Sequence, residues 1–304
     1  ALKNSLRFWK AQMTKRISSI TPCYNGGKYL EGFLGNVTSM VNLDEIEIVI
    51  DHNAPEQWEI DMVKKYQEEF PGVFIHNVKE HVDNIARSMN DCWNLASGKY
   101  VAIWNIDDLR VPSSLQMQAD FLDKNPAHGV VHGNFVIVNQ FGSGTGRLVD
   151  HSQYFSPHRE LTRGMVTGPF LMWRKSLKEK CGMFDEQLVS GADFDLSIRL
   201  SANSKVGVIN EVLGAYLDEG QGASTRPNNK QPLERTVIEL RYGIFDKIDP
   251  RFITEAKEKY DIQKLSWLGE EKEVSSTIPN FSEFLERNGT KRKRNETKQF
   301  VQFR

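Results

Sequence analysis

Residues 17–51, ISSITPCYNGGKYLEGFLGNVTSMVNLDEIEIVID, hold the first full period of the pattern that decides the fold. Ile17 to Thr21 reads as a strand, stopped at Pro22 and followed by the turn signal Asn25-Gly26-Gly27. Tyr29, Phe33, Leu34 and Val37 then recur at helical spacing, and Glu45 to Ile50 is a second strand ending at Asp51. The theme continues outward. Trp58, Met62 and Tyr66 mark a helix closed by Pro71-Gly72, and Val73 to Val78 is a third strand. Ile85, Met89, Trp93 and Ala96 share a helical face, with Gly98 where a C-terminal cap belongs, and Val101 to Ile106 is a fourth strand. Strands alternating with single amphipathic helices predict an α/β fold: a Rossmann-like, mostly parallel sheet flanked by helices. Such sheets bind ligands at the carboxyl ends of their strands. Those ends carry Thr21 to Asn25, Asp51, and Asp107-Asp108.

The rhythm changes after residue 126. Val130 to Asn139 reads as a long strand, and the glycine-rich 141–146 lacks the Lys of a phosphate-cradling loop, which leaves a hairpin tip. His151 and His158 have no carboxylate or Cys partner at ligand spacing and read as loop residues. Residues 176–181 and 193–203 look helical, and Val206 to Ile209 and Gly214 to Leu217 look like strands. Beyond Arg226, helical spacing runs from Leu233 to Ile248 and again through Phe252, Ala256 and Tyr260. Lys291 to Arg294, then Lys298, form a basic tail, read as a solvated end or a contact for an acidic surface.

Composition narrows the class. The 304 residues, 39% hydrophobic, allow two domains or one large domain with an appendage. Thirty-nine basic against 40 acidic residues leave a net charge of −1, which argues against nucleic acid as a partner. Cys23, Cys92 and Cys181 are odd in number and contain no CxxC, which excludes a disulfide framework or zinc ribbon and suits a reducing compartment. Apolar runs such as Val101 to Trp104 fall far short of a membrane span, and the first residues show no apolar signal region. The expectation is a cytoplasmic chain, with peripheral membrane contact and homo-oligomerisation left open.

Three stretches, taken together and in order, resemble the family 2 glycosyltransferases of the GT-A fold. Ile20-Thr21-Pro22-Cys23-Tyr24-Asn25 is similar to that family's first strand and donor-binding turn. Asn90 to Tyr100, running into Trp104-Asn105-Ile106-Asp107-Asp108, resembles its central helix, strand and metal motif. Phe184-Asp185-Glu186 and Gly191-Ala192-Asp193-Phe194-Asp195 resemble the segment carrying its catalytic base. The resemblance implies an N-terminal extension over 1–14, a GT-A catalytic domain over 15–225, and a helical C-terminal extension with a basic tail over 226–304. It implies a metal-dependent, inverting transfer of sugar from a nucleotide-diphosphate sugar to a hydroxyl acceptor, a glycan or lipid-linked molecule. UDP is the favoured nucleotide, with GDP or dTDP as alternatives.

Chemistry gives each part a reason. A departing diphosphate gathers negative charge, which a hard cation such as Mn²⁺ or Mg²⁺ neutralises while held by carboxylate oxygens. Asp107 and Asp108 are the expected metal ligands, beside Asn105; capping of the following helix is the plain alternative. Asn105 stands where the family's Asp-x-Asp has a carboxylate, and a family His near residue 218 is absent, leaving Asp218 or Glu219 as ligand or as turn residues. The resemblance makes Thr21, Pro22, Tyr24, Asp51, Arg87, Asn105 and Asp107 donor-nucleotide contacts, with Asp51 accepting from the base. Tyr24 stacks on the base or packs under the first helix; Arg87 reaches the nucleotide or lies on a helix surface. Asp193 is the expected base for the acceptor's proton, and also a helix-start residue. Asp195 and Arg199, at i and i+4, read as a surface ion pair. Trp173 is either an acceptor contact or core. The rival functions are a nucleotidyltransferase and a non-catalytic nucleotide-sugar-binding module.

Overall fold

The first strand, β1 (Ile17–Tyr24), turns into α1 (Gly27–Thr38) through Asn25, whose φ of 51° is left-handed and suits Asn. Gly26 is required there for a different reason: a Cβ would lie 2.9 Å from Cys23 Sγ and 3.2 Å from Ile106. The pattern then proceeds as β2 (Ile46–Asn53), α2 (Gln57–Glu69), β3 (Phe74–Lys79), α3 (Ile85–Leu95) and β4 (Tyr100–Ile103). The α2 helix starts with a reciprocal capping box between Glu56 and Glu59, and α3 with the Asn84 side chain accepting from the Arg87 N–H at 2.8 Å. Gly98 is not the cap of α3, which ends at Ala96. Its missing side chain instead admits the backbone of β1, since a Cβ would lie 2.7 Å from the Ser18 backbone nitrogen.

The computed structural model describes residues 15–151, 167–220, 227–245 and 247–289. The expectations for residues 1–14, His158 and the basic tail lie outside them. The second half continues with β5 (Leu109–Arg110), α4 (Ser114–Lys124), β6 (His128–Val138), β7 (Arg147–Val149), β8 (Met172–Arg174), α5 (Lys178–Cys181), α6 (Ala192–Asn203) and β9 (Lys205–Leu217). The strands form one sheet in the order β3-β2-β1-β4-β8-β6-β9-β5, with β7 on β6. Pairings within β3-β2-β1-β4 and between β6 and β9 are parallel, and β8 is antiparallel to both neighbours. The glycine-rich stretch after residue 140 is the tip of the antiparallel β6–β7 hairpin, as its composition predicts. The two strands expected at 206–209 and 214–217 are one bulged strand, β9.

Both faces of the sheet are covered. Ile46, Ile48, Ile50, Leu30, Phe33, Leu34 and Trp104 pack on one side; Ile20, Val49, Trp93, Trp173 and Phe184 on the other. Burial on both faces is why Ile48, Val49 and Ile50 of β2 are three apolar residues in succession. His151, expected in a loop, is buried with its Nδ1 3.2 Å from that of His132. Among the described residues no helix is long and apolar enough to cross a membrane.

The C-terminal part corrects two expectations. It is not purely helical: α7 (Gln231–Tyr242) and α8 (Ile253–Lys259) are followed by a hairpin of β10 (Lys264–Trp267) and β11 (Glu270–Glu273), then a helix over 281–289. The helical spacing to Ile248 is also broken, because Gly243 takes a left-handed φ of 63° and ends α7. Leu233, Val237, Ile238 and Tyr242 of α7 join the same core as Trp93 and Phe184, so this part shares one hydrophobic core with the sheet.

The Asp195–Arg199 pair is the largest correction. Both side chains are fully buried, not on the surface. Asp195 Oδ2 accepts from Arg199 at 2.7 Å, and its Oδ1 accepts from Arg241 and the Tyr242 hydroxyl, each at 2.8 Å. Arg241 also pairs with Asp185 at 2.9 Å, and Arg199 donates to the Cys181 and Met183 carbonyls. Two guanidiniums hold the Asp195 carboxyl below its ordinary range despite burial. Burial outweighs Arg241 at Asp185 and raises it.

Candidate active site

The carboxyl ends of β1, β2 and β4 meet at one edge. Pro22 pairs with Asp51 and Tyr24 with Asn53, while the Trp104 N–H donates to the Ile20 carbonyl at 3.1 Å. The ends of β1 and β2, with Thr21, Pro22, Tyr24 and Asp51, and the turn after β4, with Asn105 and Asp107, therefore lie at one edge of the sheet. Tyr24 is 61% exposed, so the packed alternative is removed and its ring is open at the end of β1. Pro22 is half-buried behind it. Thr21 Oγ1 is buried with no hydrogen-bond partner among the described residues.

Asp51 differs from expectation. It is fully buried, and its carboxylate accepts from Asn77 (2.5 Å), Asn53 (2.9 Å) and Ser88 (2.6 Å), with Lys79 Nζ at 3.0 Å. No oxygen is left facing outward for a base. The residue ties β2 to β3 and α3, and Lys79 extends the cluster to Asp83 and Asp91. Desolvation works against the Lys79 charge, but its hydrogen bonds to three carboxylates raise its pKa overall. The sequence carries only a slight signal of this cluster: Asn77 and Lys79 alternate with Val78 at the end of β3. Arg87 is also engaged, 3.3 Å from both Asp91 and Glu186, and half-exposed.

The two adjacent aspartates part company. Asp108 is fully buried, its Oδ1 accepting from the Leu217 N–H at 3.1 Å and its Oδ2 from the Asn105 amide at 3.1 Å. It locks the end of β9 to the β4 turn, and burial together with Asp107 raises its carboxyl well above the ordinary range. The metal-ligand expectation for Asp108 therefore passes to Asp107, which is partly exposed. Burial and then Glu219 raise the Asp107 carboxyl, against its own N–H and Lys28. Glu219 lies on the same side and accepts from Lys28 Nζ at 2.8 Å and the Tyr29 hydroxyl at 2.9 Å.

No group of three or more ligating side chains is assembled among the described residues. A cation of the magnesium type is nevertheless commonly held by one or two carboxylates and completed by substrate phosphates. Asp107 and Glu219 fit that donor set as two carboxylates on one side of the sheet edge: burial first, and then the charge of Glu219, raise the Asp107 carboxyl, and a divalent cation would offset both.

Asp193 opens α6, half-buried, with its Oδ1 accepting the Phe194 N–H at 2.8 Å. Burial pushes its carboxyl up to about 6, opposed by the Phe194 N–H and its own and aided by Glu234. Trp173 is corrected: it is 0% exposed, edge-on to Trp93 at 5.1 Å and to Phe184 at 6.2 Å, in the core rather than against an acceptor.

A sheet ordered 3-2-1-4, with its polar edge at the strand ends and a mixed second half in which β8 runs antiparallel to both neighbours, is the architecture of the GT-A glycosyltransferases. The solved structure of S. aureus TarS 1–349 in complex with UDP-GlcNAc superposes with a TM-score of 0.63 at 17% identity, covering 80% of this chain and 70% of that one. The mannosyltransferase PcManGT from Pyrobaculum calidifontis, in complex with GDP-Man and Mn²⁺, superposes with a TM-score of 0.55 at 15% identity over 85% of this chain and 75% of that one. An uncharacterized glycosyltransferase of Methanocaldococcus jannaschii is 26% identical over 212 residues, 66% of this chain and 70% of the relative. Residues 18–179 match glycosyl transferase family 2, and the chain belongs to that family. It is a transferase enzyme.

Proposed function

We propose that this glycosyltransferase moves a sugar from a nucleoside-diphosphate sugar to a hydroxyl acceptor in one inverting displacement. The acceptor oxygen attacks the anomeric carbon opposite the diphosphate. The bond from that carbon to the phosphate oxygen breaks with its electron pair leaving on the diphosphate, and the acceptor's proton passes to an Asp193 carboxylate oxygen. The observation that carries the reading is Asp193 itself, a half-buried carboxyl raised to about 6, where a base is still ionised at neutral pH yet basic enough to help. Asp107 and Glu219 would hold Mn²⁺ or Mg²⁺, which supplies positive charge to the departing diphosphate. Thr21, Pro22 and Tyr24 line the donor side, with the exposed Tyr24 ring as the platform for a base. UDP-sugars are the favoured donors, and a glycan or lipid-linked hydroxyl the acceptor.

The experiment is release of free nucleoside diphosphate from a panel of nucleotide sugars, with and without manganese, over a set of hydroxyl acceptors. Metal-stimulated release of diphosphate with transfer of the sugar is expected. Pyrophosphate as the product would identify a nucleotidyltransferase, and nucleotide binding without turnover a binding module.

A further inference from the structure

The helix that carries Asp193 has no side-chain oxygen at its N-cap. That N-cap is Gly191, and Ala192 follows it, so neither residue before Asp193 carries a side-chain oxygen. The backbone N–H groups leading into it point instead at a side chain from the C-terminal part. The Glu234 carboxylate accepts from Val189 (2.9 and 3.0 Å to its two oxygens), Ser190 (2.6 Å) and Gly191 (2.8 Å). Successive N–H groups converging on one point form a concave anion site, here filled by the protein's own carboxylate. Glu234 is fully buried, and α7 lies directly on the loop: a Cβ at Gly191 would sit 2.8 Å from Ile238 and 3.4 Å from Glu234 Cβ.

We propose that Glu234 is the positioning residue for Asp193, holding the 189–191 loop through its N–H groups and placing a second negative charge beside the base. This rests on Asp193 being the base. The C-terminal part thereby contributes to the reaction without touching substrate. Four charged or titratable groups among the described residues bear on the pair. Glu234 faces Asp193 from α7, Lys230 faces Glu234 from the start of α7, and the Tyr260 hydroxyl after α8 is hydrogen-bonded to Glu234. Arg235 covers the Phe194 ring at 5.4 Å and pairs with Glu239. Burial raises the Glu234 carboxyl, while its three N–H partners and Lys230 favour the ionised, acceptor-only form.

A purely structural staple and a positioning residue differ in what they do to Asp193. Carboxyl-labelled aspartate, observed by NMR through a pH titration, gives its midpoint directly, the signal being identified by its loss in Asp193→Asn. The parent midpoint is expected at about 6. Glu234→Gln keeps the volume and removes the charge. The midpoint should fall while staying above the ordinary aspartate range, because burial remains, and the amides of 189–191 should exchange ~10-fold faster or more. Glu234→Asp keeps the charge on a shorter arm, so the amides should loosen while the midpoint stays closer to the parent than in the Gln variant. An unchanged midpoint in folded Glu234→Gln, or equal falls in both variants, overturns the proposal. Should the Gln variant not fold, unchanged amide exchange in Glu234→Asp overturns it alone. The base reading fails separately: it falls if Asp193→Asn retains transfer, a result that does not involve Glu234.

Discussion

Replacing Arg241 by Leu tests whether the buried charge cluster binds the C-terminal part to the catalytic core. Arg241 is completely buried and pairs with Asp195 at 2.8 Å and Asp185 at 2.9 Å, and it donates to the Asp261 carbonyl at 2.9 Å. The cluster holds two carboxylates, Asp185 and Asp195, against two guanidiniums, Arg199 and Arg241, so it is neutral as built. Leucine removes one positive charge and leaves a buried negative charge without a partner. Breaking one side of such a pair costs ~3–5 kcal/mol, mostly as the penalty of the charge left behind. At about 2–4 °C per kcal/mol for a protein of this size, the melting temperature should drop by roughly 6–20 °C. Thermal and urea unfolding followed by circular dichroism would read it. A surface i,i+4 pair contributes only ~0.3–0.5 kcal/mol, so the two placements differ by nearly tenfold. An Arg241→Leu protein within ~1 kcal/mol of the parent would refute the buried-cluster account.

Three further outcomes are expected. Asp193→Asn should lose ~10²–10⁴ in transfer rate with nucleotide affinity kept, and the parent rate should rise with pH through about 6, since the protonated carboxyl present below that value cannot accept a proton; steady-state kinetics and calorimetry check both. Asp107→Ala should abolish the manganese-dependent part of UDP or GDP binding in a folded protein, and calorimetry showing that part intact would remove Asp107 from the site. Truncation at residue 226 strips Leu233, Val237, Ile238 and Tyr242 from the shared core and should give an aggregating or unstable chain; a soluble, monomeric and equally stable product would show that the C-terminal part is independent.

Strand and helix alternation over residues 17–106, the parallel sheet and the polar strand ends were legible in the chain, because periodicity and turn chemistry act over a few neighbouring residues. So was the convergence of Thr21, Asp51 and Asp107, which follows from right-handed crossovers placing strand ends on one edge. What each of those side chains does there was not legible. Asp51 and Asp108 carry the same carboxyl as Asp107, yet Asn77, Ser88 and Lys79 consume the first, and Leu217 and Asn105 the second, while Asp107 stays open. The same holds for Asp195 and Arg199, whose spacing matches a surface pair, and for the 189–191 loop, whose N–H groups are met by Glu234 from a helix far along the chain. Local sequence sets where a charge sits on its helix or strand. Only the packing of distant elements sets whether that charge meets water, a cation or a row of N–H groups, because the desolvation penalty and its compensation depend on every group brought around it.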